Sequence, residues 1–152
     1  MKKLGLAIFT IMVMTVFTAA ANATNIGTID FKKVGMSYNY AKSVFKELDS
    51  KSMELQQFII DKDKQYKAID SPIAKKNFEE KTQKEFQAKK DALENLQAQK
   101  EDDIFNRIMN ATKAVANQKK LEAVFDQNAV FVGGMDITDD VIRYLNGQPA
   151  GK

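Results

Sequence analysis

The step Ser71-Pro72 divides two long helix-forming stretches, and no feature constrains this chain more. Serine is a preferred residue just ahead of a helix, and proline is favoured at the first helical position. One helix therefore ends near Asp70 and another begins at Pro72. Upstream, the composition is helical from about Lys33 to Asp70, with Gly35 marking a break or a late start. Val44, Leu48, Leu55, Ile59, Tyr66 and Ile69 recur at helical spacings and form one apolar stripe. Downstream, a stripe of Phe86, Leu93, Leu96, Ile104, Ile108, Ala111 and Val115 carries the second helix to about Asn117. Two long helices with almost no loop between them must fold back antiparallel. Taking Asp70-Ser71 as the tip places Leu55 opposite Phe86, Leu48 opposite Leu93, Phe45 opposite Leu96, and Ile69 near Ile73. Glu80 with Lys84, and Glu85 with Lys89, read as i,i+4 pairs on the solvated side.

The outer half of this hairpin is thinly apolar. Between Asp61 and Ala92 the large apolar residues are Tyr66, Ile69, Ile73, Phe78 and Phe86. Such a segment cannot build a globular core, so it must protrude as a solvated arm with a mobile tip.

The flanks read differently. Ile26 to Phe31 is short and rich in β-branched and aromatic residues, which predicts a strand. Leu121 to Phe125 and Ala129 to Val132 read as two strands joined by a turn at Asp126-Gln127-Asn128. Asp136 to Asp140 offers capping and first-turn carboxylates for a short last helix. Ile137, Val141, Ile142 and Leu145 supply its apolar face, and Asn146-Gly147 ends it. The fold class is thus α+β and mostly helical: a long antiparallel helical hairpin, or coiled-coil arm, on a small β body with a short C-terminal helix. Residues 24–40 and 118–147 form the body, 41–117 the arm, and 148–152 a tail. A body this small, without cysteine, is expected to need oligomerisation for stability.

The first residues point to export. Lys2 and Lys3 precede an uncharged apolar run from Leu4 to Ala20, and Ala21-Asn22-Ala23 is a small-residue cleavage site. Residues 1–23 read as a secretory signal cut near Ala23. The full chain holds 23 Lys+Arg and 20 Asp+Glu; without Lys2 and Lys3 the balance is 21 against 20. That near-neutrality speaks against nucleic acid as a partner, and charge does not support a membrane contact.

Chemistry has little to work with. The chain has no His and no Cys, so His-based triads, cysteine nucleophiles and the usual zinc sites are absent. No phosphate-binding glycine motif occurs. Gly133-Gly134 reads as a turn, and Asp136, Asp139 and Asp140 as helix capping rather than a cation site. No enzyme activity, cofactor or metal is expected, and the mechanism must be binding.

With these segments in place, the order strand, helical hairpin, strands and short helix resembles the Skp/OmpH family of periplasmic chaperones. The most specific stretches are Ala111 to Asn117, Leu121 to Val130 and Asp136 to Ile142, with Ile26-Gly27-Thr28-Ile29-Asp30 matching the family's first strand. The resemblance implies a periplasmic homotrimer. Its β body would join three chains whose arms enclose a cavity that holds unfolded outer-membrane proteins without ATP. No lipopolysaccharide site is carried over. On the arm, Met53, Phe58, Ile60, Tyr66 and Phe78 are candidate client contacts, with Ser71 and Pro72 at the tip. Ile26, Ile29, Phe31, Val124, Phe125, Val130 and Val132 are candidates for body core and subunit contact. The competing reading is a structural coiled-coil adaptor of the cell envelope, which would show one contiguous hot-spot patch.

Overall fold

A computed structural model describes residues 25–147; the signal segment, its cleavage site and the tail lie outside the described residues. Strand β1 (Ile26–Ile29) runs into helix α1 (Phe31–Ser37). Asp30 caps α1 by accepting from the Lys33 amide at 2.8 Å. The long helices are α2 (Asn39–Lys67) and α3 (Pro72–Gln118), followed by β2 (Ala123–Asp126), β3 (Met135–Asp136) and α4 (Thr138–Gly147). At about 1.5 Å per residue, α2 is roughly 44 Å long and α3 roughly 70 Å.

Ser71 caps α3 through the Ala74 amide at 3.4 Å, and Pro72 opens it. The four residues from Ala68 to Ser71 turn the chain, and α3 runs back along α2. Contacts of Tyr66 with Phe78, Lys62 with Glu85 and Glu47 with Lys100 fix the antiparallel order. They also correct the predicted register, which would set Tyr66 against Lys75, Lys62 against Glu79 and Glu47 against Glu94. Helical side chains lean toward their own N-terminus. On α2 that direction is away from the tip, and on α3 it is toward the tip. Partners on α3 therefore lie farther from the tip than backbone counting places them. Leu55 accordingly shares a groove with Ala92, Leu93 and Leu96 rather than facing Phe86. The stripe shifts as well: Phe58 and Lys62 sit half-buried between the helices, while Ile59 is exposed. Glu85 pairs across the hairpin with Lys62 at 2.6 Å instead of with Lys89.

The helical break lies at Tyr38, not at Gly35, which stays inside α1. A distant side chain clasps the interruption. The Asn39 amide donates to Asn146 Oδ1 at 2.9 Å, and Asn146 Nδ2 donates to the Ser37 carbonyl at 3.2 Å. Two of the backbone groups freed by the break are thus satisfied from α4.

The sheet order is β2-β1-β3, with both neighbours parallel to β1. The expected hairpin after Asp126 does not form. A single 3-10 turn, Gln127–Ala129, follows β2, and Asp126 accepts from the Asn128 amide at 2.8 Å. Residues 130–132 are not in a strand, and the third strand is the two-residue Met135–Asp136. Parallel pairing requires a long crossover, and the whole hairpin serves as the one between β1 and β2. Gly134 brings the chain back against β1 at φ +90°, where a Cβ would stand 2.7 Å from Thr28 Cγ2. Only glycine suits both demands.

The core gathers Ile29, Val34, Tyr38, Ala41, Val44, Ile104, Ile108, Ala111, Val115, Ile137, Val141 and Leu145. It joins the roots of α2 and α3 to α1, α4 and β1. From residue 45 to residue 103 no side chain is fully buried. The arm is therefore held by a half-buried seam and by ion pairs across it.

Thr138 ties the body's two halves together. It is 1% exposed. Its hydroxyl accepts from the Asp30 amide at 2.9 Å and donates to Asp136 Oδ1 at 2.5 Å. Hydrogen bonds from the Thr138 hydroxyl and amide hold the Asp136 carboxyl below its ordinary pKa. A carboxylate depressed on folding stabilises above its unfolded pKa, near pH 4, and loses that contribution as pH falls through the lower folded value. The urea midpoint is thus expected to drop below about pH 4, with a shallower drop in Asp136→Asn than in the unaltered chain.

Candidate functional site

Toward the tip, the seam between α2 and α3 opens into a groove of about 440 Å³. Its wall is aromatic: Phe58 and Tyr66 from α2, Phe78 and Phe86 from α3. The Tyr66 and Phe78 rings lie 6.4 Å apart between centroids. Lys62 enters the wall as well, with its ammonium 5.1 Å from the Phe58 ring centre and 5.5 Å from that of Phe78. Such contacts are worth about 0.5–1 kcal/mol each when exposed. The Lys62 side chain is only 19% exposed, and Glu85 receives its charge. That hydrogen bond lowers the Glu85 pKa. Thr82 lies on the same wall, and its hydroxyl is buried without a partner.

The predicted arm residues separate into two sets. Phe58, Tyr66 and Phe78 meet at this groove, whereas Met53 and Ile60 stand exposed elsewhere on α2. Sequence reasoning placed Phe58 and Phe78 off the stripe; helical spacing puts them in the half-buried rows 55, 58, 62, 66 on α2 and 75, 78, 82, 86 on α3 that form the seam. It gave Phe86 a packing role against Leu55, and it missed Lys62 and Thr82. A lysine at a stripe position is read as a fault in the pattern, although its long apolar stem fits such a seam. Exposed apolar side chains also occur at Phe45, Ile73 and Phe105, scattered along the arm rather than forming one patch.

At the arm's root polar contacts flank the core. Arg107 stacks over Tyr40 at 4.6 Å and pairs with Asp103 at 2.9 Å. Partial burial pushes the Asp103 carboxyl up, but hydrogen bonds from Tyr40 and Arg107 outweigh it and its pKa falls. Lys100 binds Glu47 at 2.9 Å. This cluster clamps α2 to α3 where the arm leaves the body.

The predicted body residues also divide. Ile29 is buried, and Phe31 and Val124 pack against the core. Val130 is half-buried, but Ile26, Phe125 and Val132 are exposed, Val132 at 86%. They border an open groove of about 340 Å³ together with Phe131, whose side chain is wholly exposed. In a single chain these four residues are surface rather than core. For Phe131 and Val132 the missing second strand is the reason, since 130–132 pair with no strand among the described residues; Ile26 and Phe125 are paired strand residues left uncovered.

Among the described residues, no group of three or more Asp and Glu side chains could hold a metal ion, and no helix is long and apolar enough to cross a membrane. Three comparisons bear on this architecture. The model of a family described as outer membrane protein (OmpH-like) matches residues 25–145. A comparison with curated proteins finds no significant match. Among solved structures, the chain is similar to a candidate outer membrane chaperone (OmpH-like) from Caulobacter crescentus CB15. Identity is 18%, 81% of this chain and 84% of that one are covered, and the TM-score is 0.42.

Proposed function

The chain belongs to the OmpH-like family, and from that premise we propose that it is a holding chaperone of the periplasm that binds unfolded outer-membrane proteins and keeps them from aggregating without ATP. The observation that carries this reading is the arm. It is a two-helix rod with no fully buried side chain from residue 45 to residue 103, and it exposes dispersed apolar side chains among many charges. Weak, plural and adaptable contacts suit a partner with no fixed shape, and the charges keep the rod soluble. A fixed-partner adaptor would instead concentrate its binding energy in one patch.

Three chains, joined through their bodies, would set three arms around one space. Ile26, Phe125, Phe131 and Val132 support this assembly as a self-association surface, because a single chain leaves them exposed. Sedimentation of the chain lacking residues 1–23 at micromolar concentration is expected to give a trimer. A stable monomer would contradict it.

The function is tested with an unfolded β-barrel protein diluted from urea. Light scattering should be suppressed by an equimolar trimer in the absence of ATP. Undiminished scattering would remove the chaperone reading.

A further inference from the structure

We propose that the groove near the arm's tip is a discrete peptide cradle: it takes an extended client segment of about seven residues, aromatic at its centre, with a carboxylate near each end. This rests on the chaperone reading and gives its client a local chemistry.

The charges around the groove are unequal in what they still offer. Its acids are already engaged. Asp63 holds Lys67 at 2.6 Å, Glu85 holds Lys62 at 2.6 Å, and Glu79 lies near enough to the Tyr66 hydroxyl to raise its pKa. Two ammonium groups are not engaged in this way. Lys75 stands 5.2 Å over the Tyr66 ring and Lys89 stands 5.3 Å over the Phe58 ring. Neither has an acidic partner within 4.0 Å among the described residues. One marks the tip end of the aromatic wall and the other its body end. The groove thus offers an apolar floor between two ammonium groups that make no close ion pair, Lys89 being within Coulombic range of Glu85.

Spacing gives the length of the occupant. Lys75 and Lys89 are both on α3, and at about 1.5 Å per residue their backbones are roughly 21 Å apart. An extended chain advances about 3.3 Å per residue, so roughly six steps separate two carboxylates that reach both ammoniums. The middle of such a segment lies over Thr82. There the Thr82 hydroxyl, buried and unpartnered in the free arm, donates to a peptide carbonyl once its side chain turns toward the groove, which removes the cost of leaving it unpaired. An aromatic side chain at the centre meets the rings of Phe58 and Phe78. A second copy of the arm, which brings helices instead of free backbone carbonyls, cannot satisfy Thr82 in this way.

The test uses the chain without residues 1–23 and fluorescein-labelled heptapeptides in anisotropy titrations. The probe is Asp-Thr-Ser-Tyr-Ser-Thr-Asp. One twin has lysine at both ends, and another has glycine at the centre. At low salt the acid-ended peptide should bind about tenfold more tightly than the lysine-ended one, an advantage that shrinks as salt screens the end charges. The glycine-centred twin should lose about tenfold. In the double variant Lys75→Glu with Lys89→Glu, whose altered side chains lie outside the core, the end-charge preference should reverse. Thr82→Val should weaken the probe about threefold. Equal affinity for the two end-charge peptides, no binding of either, or an unchanged preference in the double variant overturns the cradle. The scattering assay on the unaltered chain separates the two ideas. Suppression that persists while the peptides are not distinguished defeats the cradle alone, and loss of suppression defeats the chaperone reading.

Discussion

Ile108→Ala is expected to lower the unfolding free energy by about 3–4 kcal/mol, within the range for isoleucine truncation in a packed core. Ile108 is fully buried on α3. It belongs to the cluster that joins the roots of the arm to α1, α4 and β1. The residual cavity decides the cost, and this site cannot collapse easily. α3 is one continuous helix, and the Thr112 hydroxyl is bonded to the Ile108 carbonyl at 2.8 Å. The loss is severe because a body of this size has little stability to spare. Urea midpoints measured at one fixed protomer concentration provide the check, since self-association would otherwise move them. Ile60→Ala is the control. Ile60 is 48% exposed on the arm, and its truncation should cost less than about 0.5 kcal/mol. Equal losses at the two positions would mean that the core does not lie where the arm roots meet.

Thr138→Val should cost about 2–4 kcal/mol while changing the side-chain volume very little. The valine keeps the shape and removes one hydroxyl that serves two partners. The Asp30 amide loses its acceptor and Asp136 loses a donor. Those partners lie at the start of α1 and the end of β3, so one bond pair links the two ends of the body. Asp136→Asn acts on the same network. The cost of the double variant is therefore expected to be smaller than the sum of the two single costs. Additive costs would show that the Thr138–Asp136 bond contributes nothing of its own.

Legibility followed the range of the physics involved. The Ser71-Pro72 apex, the two long helices and the capped last helix depend on neighbours within a turn or so. Those neighbours were visible. The aromatic members of the groove were visible as residues but not as a group. Phe58 and Phe78 lie on the half-buried rows that face each other, and the offset between the two helices sets Phe78 beside Tyr66. Lys62 was hidden by its charge, and Thr82 by having nothing in the local pattern to single it out.

The break at Tyr38 has neither proline nor glycine at that position, and its clasp comes from Asn146, over a hundred residues away. β3 is two residues long, too short for alternation to be seen. Its pairing with β1 follows from the positive φ of Gly134 and its close approach to Thr28. Local propensity and period therefore determined that this chain would be a back-folded pair of helices on a small mixed body. Tertiary structure decided the register of the hairpin, the parallel order β2-β1-β3 and the exposure of 131–132. Each of those depends on contacts between residues far apart in the chain, and a helical or strand repeat carries no address for a distant partner.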